Sequence, residues 1–413
     1  MLITNIKALV GIHPKEKLVL RGSEMANLPI LENAWLLLEN GLIKDFGSMT
    51  SIPSHISNLT SHISAQNKYI FPSWCDSHTH IVFAASREEE FVMKIEGKTY
   101  EEIASAGGGI LNSANKLALA TEDSLFKSAY IRIRDMINQG TGALEIKSGY
   151  GLTVQGELKM LRVIKRLKNA FPIPIKATLL AAHTYPQTYK NNHQGYVSLI
   201  INEMLPLVAK EKLADYIDVF CERGFFSVEE TDQILSAAAK YELKPKIHAN
   251  QLSVSGGVQI GIKNHAVSVD HLEETDAEVL KSLANSATIA TLLPSCSFFL
   301  NIPFADARGL INNNAAIALA SDHNPGSTPS GNMNFVVSLA CLKLKMMPEE
   351  AINAATLNGA AAMELSAEMG SIAIGKRANL FITRAMPSLA YLPYSFGQPQ
   401  IETVILNGEI YHG

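Results

Sequence analysis

Cysteine is scarce in this chain. There are four in 413 residues (Cys75, Cys221, Cys296 and Cys341), widely separated and with no C-x-x-C pair. That spacing excludes a disulfide framework and a thiolate zinc module, so reduced core thiols in a cytosolic protein are expected. Long apolar runs are missing too: none approaches the ~20 residues needed to span a bilayer, so no membrane partner is expected. Met1 to Val10 carries Lys7 within a short apolar stretch and has no signal-peptide core, which again predicts a cytoplasmic protein. An excess of positive charge is also absent. The formal net charge is −4 and no Lys/Arg stripe is visible, so nucleic acid is not an expected partner.

What is present is globular: 18% charged and 47% hydrophobic residues, with no disordered tail. The length exceeds one small core and suits an α/β barrel of about 250 residues plus a smaller domain. Both ends are β-rich. Trp35 to Leu38 and Leu42 to Gly47 flank Asn40-Gly41, and a second Asn-Gly hairpin lies at Asn407-Gly408. The expected division is therefore a composite β-sandwich domain from 1–68 plus 371–413, around a barrel domain at 69–370.

The middle alternates between strand and helix. Apolar strand candidates end near His80, Ser148, His183, Cys221, Ala249, His271, Pro294 and Asp322. Helical spacing (Leu158, Leu161, Ile164, Leu167) and a capping box at Ser227–Glu230 separate some of them. About eight such units predict a (β/α)8 barrel, with an open doubly wound sheet as the alternative. The long stretch between His80 and Ala143 is expected to lay loops over the mouth. Gly107 to Gly109 lacks the Gly-Lys-Ser/Thr continuation of a phosphate-binding loop.

Barrel chemistry sits at the carboxyl ends of strands. There the sequence offers His78-Thr79-His80, Lys147, His183, Glu222, His248, His271 and Asp322. Residues two apart on a strand share a face, so His78 and His80 converge, which begins a metal site. Each residue also has an ordinary reading. His248 and His271 could be core histidines bonded to carbonyls, Asp322 could cap a turn, and Lys147 with Glu222 is expected to form an ion pair between strand ends.

Several strings carry a resemblance. They are Asp76-Ser-His-Thr-His80 continuing to Ser86-Arg87-Glu-Glu-Glu90, Ala106 to Ile110, Glu145-Ile-Lys-Ser-Gly-Tyr150-Gly, His183, Asp218 to Glu222, His248-Ala-Asn-Gln251, Val269-Asp-His271 and Asp322-His-Asn-Pro-Gly-Ser327, with Gly370 to Asn379 leading back into the terminal domain. Together they resemble the amidohydrolase superfamily and, within it, the imidazolonepropionase family of histidine breakdown. The resemblance implies one divalent or trivalent ion per subunit, Zn²⁺ or Fe, on His78, His80, His248 and Asp322. It implies a small anionic substrate held by Arg87, Tyr150, His183 and Gln251, with Asn324, Gly326 and Ser327 completing the site, and a homodimer.

The implied reaction is hydrolysis of the cyclic amide of 4-imidazolone-5-propanoate to N-formimidoyl-L-glutamate by a metal-activated water. Arg87 is the expected clamp on the propionate carboxylate, supported by Tyr150. Two positions depart from the family: Asn250 stands where Asp is expected, and Gln251 where some members carry Glu. An amide cannot serve as a base, so proton transfer is assigned to His271 and Asp322. Two other readings stay open. One is a deaminase or other ring hydrolase of the superfamily acting on a cytosine- or guanine-like ring, which has no evident need for Arg87. The other is a barrel that retains the fold without catalysis.

Overall fold

The structure is a computed structural model, and it describes the chain except for residues 58–61, 99–101 and 103–107. Gly107 therefore lies outside the described residues. The chain opens with β1 (Leu2–Val10), β2 (Ile30–Glu39), β3 (Leu42–Ser48), β4 (His62–Ser64) and β5 (Lys68–Pro72). The barrel strands follow: β6 (Trp74–Asp76), β7 (Thr141–Lys147), β8 (Ile175–Ala182), β9 (Tyr216–Cys221), β10 (Lys244–Ala249), β11 (Ser268–His271), β12 (Ile289–Leu292) and β13 (Ile317–Leu319). The chain then returns through β14 (Leu380–Ala385), β15 (Ile401–Leu406) and β16 (Glu409–Ile410).

One sheet joins both ends of the chain in the order β16-β15-β14-β5-β1-β2-β3, with β4 beside β1. Its two Asn-Gly turns have positive φ at both residues, 52° and 79° at Asn40-Gly41 and 48° and 77° at Asn407-Gly408, as tight hairpins require. The sheet curls until β3 meets the stretch before β14: the Ile43 amide donates to the Lys376 carbonyl at 2.9 Å and the Gly375 amide to the Ile43 carbonyl at 2.8 Å. The expected sandwich is thus one continuous sheet wrapped around its own core of Ile3, Ile6, Leu36, Ile70, Leu380 and Ile405.

The seam between the two sheets differs from expectation. The barrel was expected to begin at residue 69 with the strand ending near His80, but Tyr69 to Pro72 belong to β5, paired with β1 and β14. Backbone donors explain the break. Pro72 has no N–H to extend a ladder. The Ser73 amide then bonds to Asn379 at 3.0 Å on the terminal side, while the Trp74 amide bonds to Gly140 at 2.9 Å on the barrel side. The terminal sheet therefore reaches Pro72, beyond the expected boundary at residue 68.

Strands β6 to β13 pair in parallel in chain order. β7, β9, β11, β12 and β13 are buried throughout, as a sheet covered on both faces demands. The ring closes just past β6 and β13. Thr79 bridges His323, the His80 amide donates to the His323 carbonyl at 2.9 Å, and the Asp322 amide donates to the His78 carbonyl at 3.0 Å. The Asp76 carboxylate receives the Ser321 amide at 2.9 Å and the Ser321 hydroxyl at 2.5 Å. This is a closed barrel and not the open sheet.

Helices pack outside as the sequence pattern foretold. Leu158, Leu161, Ile164 and Leu167 are buried on the helix Val154–Ala170, and the Ser227–Glu230 capping box is formed in both directions. The stretch before β7 holds helices Glu88–Ile95, Ile110–Leu119 and Glu122–Asn138, and the first two reach the mouth of the barrel. Among the described residues no helix is long and apolar enough to cross a membrane. The closure contact predicts that Asp76→Ala, which orphans the buried Ser321 donors, lowers unfolding free energy by about 1–3 kcal/mol in denaturant titration.

Candidate active site

The closure places the proposed ligand atoms together. His78 and His80 leave β6 on one face, and their Nε2 atoms lie 3.3 Å apart. Asp322, carried in by the facing segment, puts Oδ1 3.6 Å from each Nε2. His248 comes from the end of β10, its ring centroid 4.5 Å from that of His78 and 5.5 Å from that of His80. His271, at the end of β11, stands 5.2 Å from His248. All five side chains are buried.

The hydrogen bonds behind these rings decide which nitrogens face inward. His78 Nδ1 bonds to Asp270 Oδ2 at 2.6 Å, and His248 Nδ1 bonds to Asp218 Oδ2 at 3.0 Å. Ionised carboxylates only accept, so each Nδ1 carries the hydrogen and each Nε2 keeps its lone pair. Burial first, and the neighbouring cationic groups second, hold His78, His80 and His248 well below the usual imidazole pKa. Two ligands about 2.1 Å from one tetrahedral ion sit about 3.4 Å apart, which is close to the spacing among His78 Nε2, His80 Nε2 and Asp322 Oδ1. These three donors fit one ion, a donor atom of His248 lies within 4.8 Å of one on His78, and nitrogen and oxygen donors of this kind suit Zn²⁺ or iron.

Beside this cluster, His271 Nδ1 approaches Glu273 Oε1 at 3.4 Å, and Ser297 donates to the same oxygen at 3.2 Å. Burial opposes charge on His271, but the carboxylates of Glu273, Asp322 and Asp270 together outweigh it and raise the pKa. Asp322 is pushed up to about 6 by burial, against the pull of His271 and the hydrogen bonds of Asn324 and Ser327. His271, Leu272 and Asp322 have φ of 88°, 66° and 56°. That left-handed backbone is costly for residues with a Cβ and clusters at functional sites.

The cluster opens into a cavity of 650 Å³. Its lining includes Arg87, Tyr150, His183, Gln251, Asn324, Gly326 and Ser327, so every substrate position expected from the sequence reaches the same space. Arg87 is braced by a two-pronged ion pair with Glu90, at 2.8 and 2.5 Å, and Glu90 in turn receives the Gly109 amide at 3.0 Å. A Cβ at Gly326 would fall 2.1 Å from Arg87 Nη1, so the guanidinium occupies the space that glycine leaves. His183 bonds through Nδ1 to the Gly149 carbonyl at 3.1 Å and is lowered by burial to about 4, hence neutral. Tyr150 is buried, which raises its phenol and keeps it a donor. Asn324 spends its own polar atoms on the loop: its Oδ1 receives the amides of Gly326 and Ser327 at 2.8 Å each. Gln251 donates to Cys296 Sγ at 3.6 Å.

One expected contact is absent. Lys147 does not pair with Glu222. Its Nζ lies 2.6 Å from Glu145 and 2.8 Å from Asp218 inside the barrel. Glu222 has turned outward past the end of β9, where it receives the amides of Leu252 and Ser253 at 2.9 and 3.3 Å. Sequence reasoning also gave no role to Asp218, Asp270 or Glu273, which back His248, His78 and His271. A signal existed for one of them: Asp218 is a charge inside the otherwise apolar β9, a placement that calls for a buried partner.

Comparison with known proteins follows the same line. The amidohydrolase family profile matches residues 69–411. An imidazolonepropionase of Flavobacterium johnsoniae is 54% identical over 409 residues, covering 99% of each chain. Another, from Christiangramia forsetii, is 52% identical over 410 residues, again covering 99% of each. Among solved structures, E. coli guanine deaminase superposes with a TM-score of 0.71 at 13% identity, over 100% of this chain and 98% of that one. An atrazine chlorohydrolase of Arthrobacter aurescens, complexed with zinc, reaches 0.72 at 13% identity over 99% and 94%. At such identities the likeness shows the fold alone.

Among the described residues His78 belongs to two of the three groups of mutually close donor atoms, one with His80 and Asp322 and the other with His248 and His271. His78→Ala is therefore expected to abolish stoichiometric metal in elemental analysis of folded protein. Full metal content in that variant would contradict the ligand set.

Proposed function

The chain belongs to the imidazolonepropionase family of amidohydrolases, and on that premise we propose that it hydrolyses 4-imidazolone-5-propanoate to N-formimidoyl-L-glutamate in histidine breakdown. The observation that carries the reading is one cavity holding both a His/Asp donor cluster and a braced arginine. A ring amide with an anionic tail needs both. In this reading His78, His80, His248 and Asp322 hold one Zn²⁺ or iron ion. When bound, the ion supplies the Lewis acidity that makes water a nucleophile near neutral pH.

The chain's own residues do the rest. Arg87, fixed by Glu90 along one edge, receives the propionate carboxylate, and the charge-assisted contact orients the ring. Tyr150 donates from the cavity wall, while neutral His183, whose Nδ1 hydrogen is held by the Gly149 carbonyl, offers Nε2 as an acceptor. His271, supported by Glu273, donates to the ring carbonyl oxygen as negative charge grows there. Asp322 takes a proton from the attacking water and passes it to the ring nitrogen as the C–N bond breaks. Oxygen joins the carbonyl carbon, nitrogen leaves with the proton, and no redox partner is required. Gln251 cannot act as a base, so it is confined to hydrogen bonding. A cytoplasmic setting accords with four free cysteines, three of them buried. The homodimer implied by the resemblance belongs to the same reading, and sedimentation equilibrium checks it.

The deaminase alternative rests on fold likeness only, whereas full-length relatives more than half identical carry the imidazolonepropionase name. Loss of imidazolone absorbance with formation of formimidoylglutamate is the expected assay result. Turnover of guanine or cytosine with none of the imidazolone acid would overturn the reading. Arg87→Ala is expected to raise KM about 10–150-fold, the equivalent of the ~1.5–3 kcal/mol in a charge-assisted hydrogen bond. An unchanged KM removes the clamp. Gly326→Ala, which displaces the guanidinium, is expected to raise KM in the same direction while kcat is largely kept.

A further inference from the structure

Beneath the histidines, five charged side chains are fully buried on the inward faces of the barrel strands: Glu145 and Lys147 on β7, Asp218 on β9, Lys246 on β10 and Asp270 on β11. Lys147 is their centre. Its Nζ lies 2.6 Å from Glu145 Oε1, 2.8 Å from Asp218 Oδ2 and 3.4 Å from Asp270 Oδ2. The last two oxygens are the same atoms that accept from His248 Nδ1 and His78 Nδ1. Lys246 ion-pairs with the other oxygen of Glu145 and donates to the Ser77 carbonyl at 3.1 Å.

One ammonium therefore touches both carboxylates that orient two of the proposed metal ligands. Asp218 and Asp270 both direct Oδ2 at it, and with the cation gone those oxygens would face each other in a dry interior where repulsion is weakly screened. We infer that Lys147 is a positioning residue for the metal centre: by clamping Asp218 to Asp270 it sets the spacing and aim of His248 and His78. This rests on the metal-centre reading given under Proposed function. A packing role is the competing account, because the four-carbon stem of Lys147 also fills the barrel.

Lys147→Met keeps the stem and removes the charge. Lys147→Met combined with Asp270→Asn removes one charge of each sign; the amide oxygen at 270 can still accept from His78, and its NH2 can donate to the Ser268 hydroxyl. The measurement is Zn²⁺ affinity of the full chain by chelator competition, with circular dichroism confirming the fold. Lys147→Met is expected to weaken Zn²⁺ binding about 10–100-fold, the usual cost of disturbing groups behind metal ligands, while KM of the zinc-loaded protein stays put because Arg87 is untouched. The double variant is expected to recover most of the lost affinity. Should Lys147→Met fail to fold, Lys147→Gln, which keeps a neutral donor, replaces it in both arms. Zinc bound equally by the unaltered protein and the single variant overturns this inference alone. A double variant no better than the single one assigns Lys147 to packing and overturns it as well. An unaltered protein that binds no zinc overturns the metal-centre reading and this inference together.

Discussion

The site depends on one junction, the place where the barrel closes. Asp76 and Ser321 are 245 positions apart in the chain, yet the carboxylate of one holds both the amide and the hydroxyl of the other. The next residues continue the contact through backbone hydrogen bonds between the His78–His80 and Asp322–His323 segments. Everything that follows chemically is a result of that seam. It turns a histidine pair, which alone is a weak motif, into three sides of a donor cluster by delivering Asp322 beside it. The other strands need only end at the same level for His248 and His271 to complete the ring.

Burial gives the junction its character. Imidazoles withdrawn from water lose the stability of their charged form, so they stay neutral and keep lone pairs for a cation. Carboxylates behind them remain useful as acceptors only because cations accompany them into the interior. The barrel therefore holds two layers of opposite purpose, a layer at the mouth rich in neutral imidazoles and a layer of buried ion pairs below it. Arg87 follows a similar rule on the cavity wall, where Glu90 fixes its direction and Gly326 leaves room for it.

Much of this was legible in the sequence. The apolar runs located the barrel strands, the Asn-Gly pairs located both terminal hairpins, and reading only the strand ends collected His80, His183, His248, His271 and Asp322, which line one cavity, while Arg87, Gln251, Asn324, Gly326 and Ser327 came from the family resemblance. What escaped reading has physical causes. A proline followed by a serine does not announce that successive amides will bond to different sheets, so β5 and β6 read as one strand. Lys147 was matched with Glu222 because both stand near strand ends. Alternation along β7 gives the better answer: Glu145 and Lys147 share one face, and that face looks into the barrel, where Asp218 waits on β9. Pairings across strands two apart in the sheet depend on register and curvature, which a single sequence does not display.

The terminal sheet carries a consequence for biosynthesis. β5 lies between β1 and β14, but β14 is made more than three hundred residues after it. While the ribosome works through the barrel, the β14-facing edge of β5 waits with its hydrogen-bonding groups uncommitted, and an uncommitted edge recruits foreign strands. The nascent chain is thus most vulnerable late in translation. A ribosome that stalls before residue 380 would release a product whose hazard is self-association rather than mere inactivity.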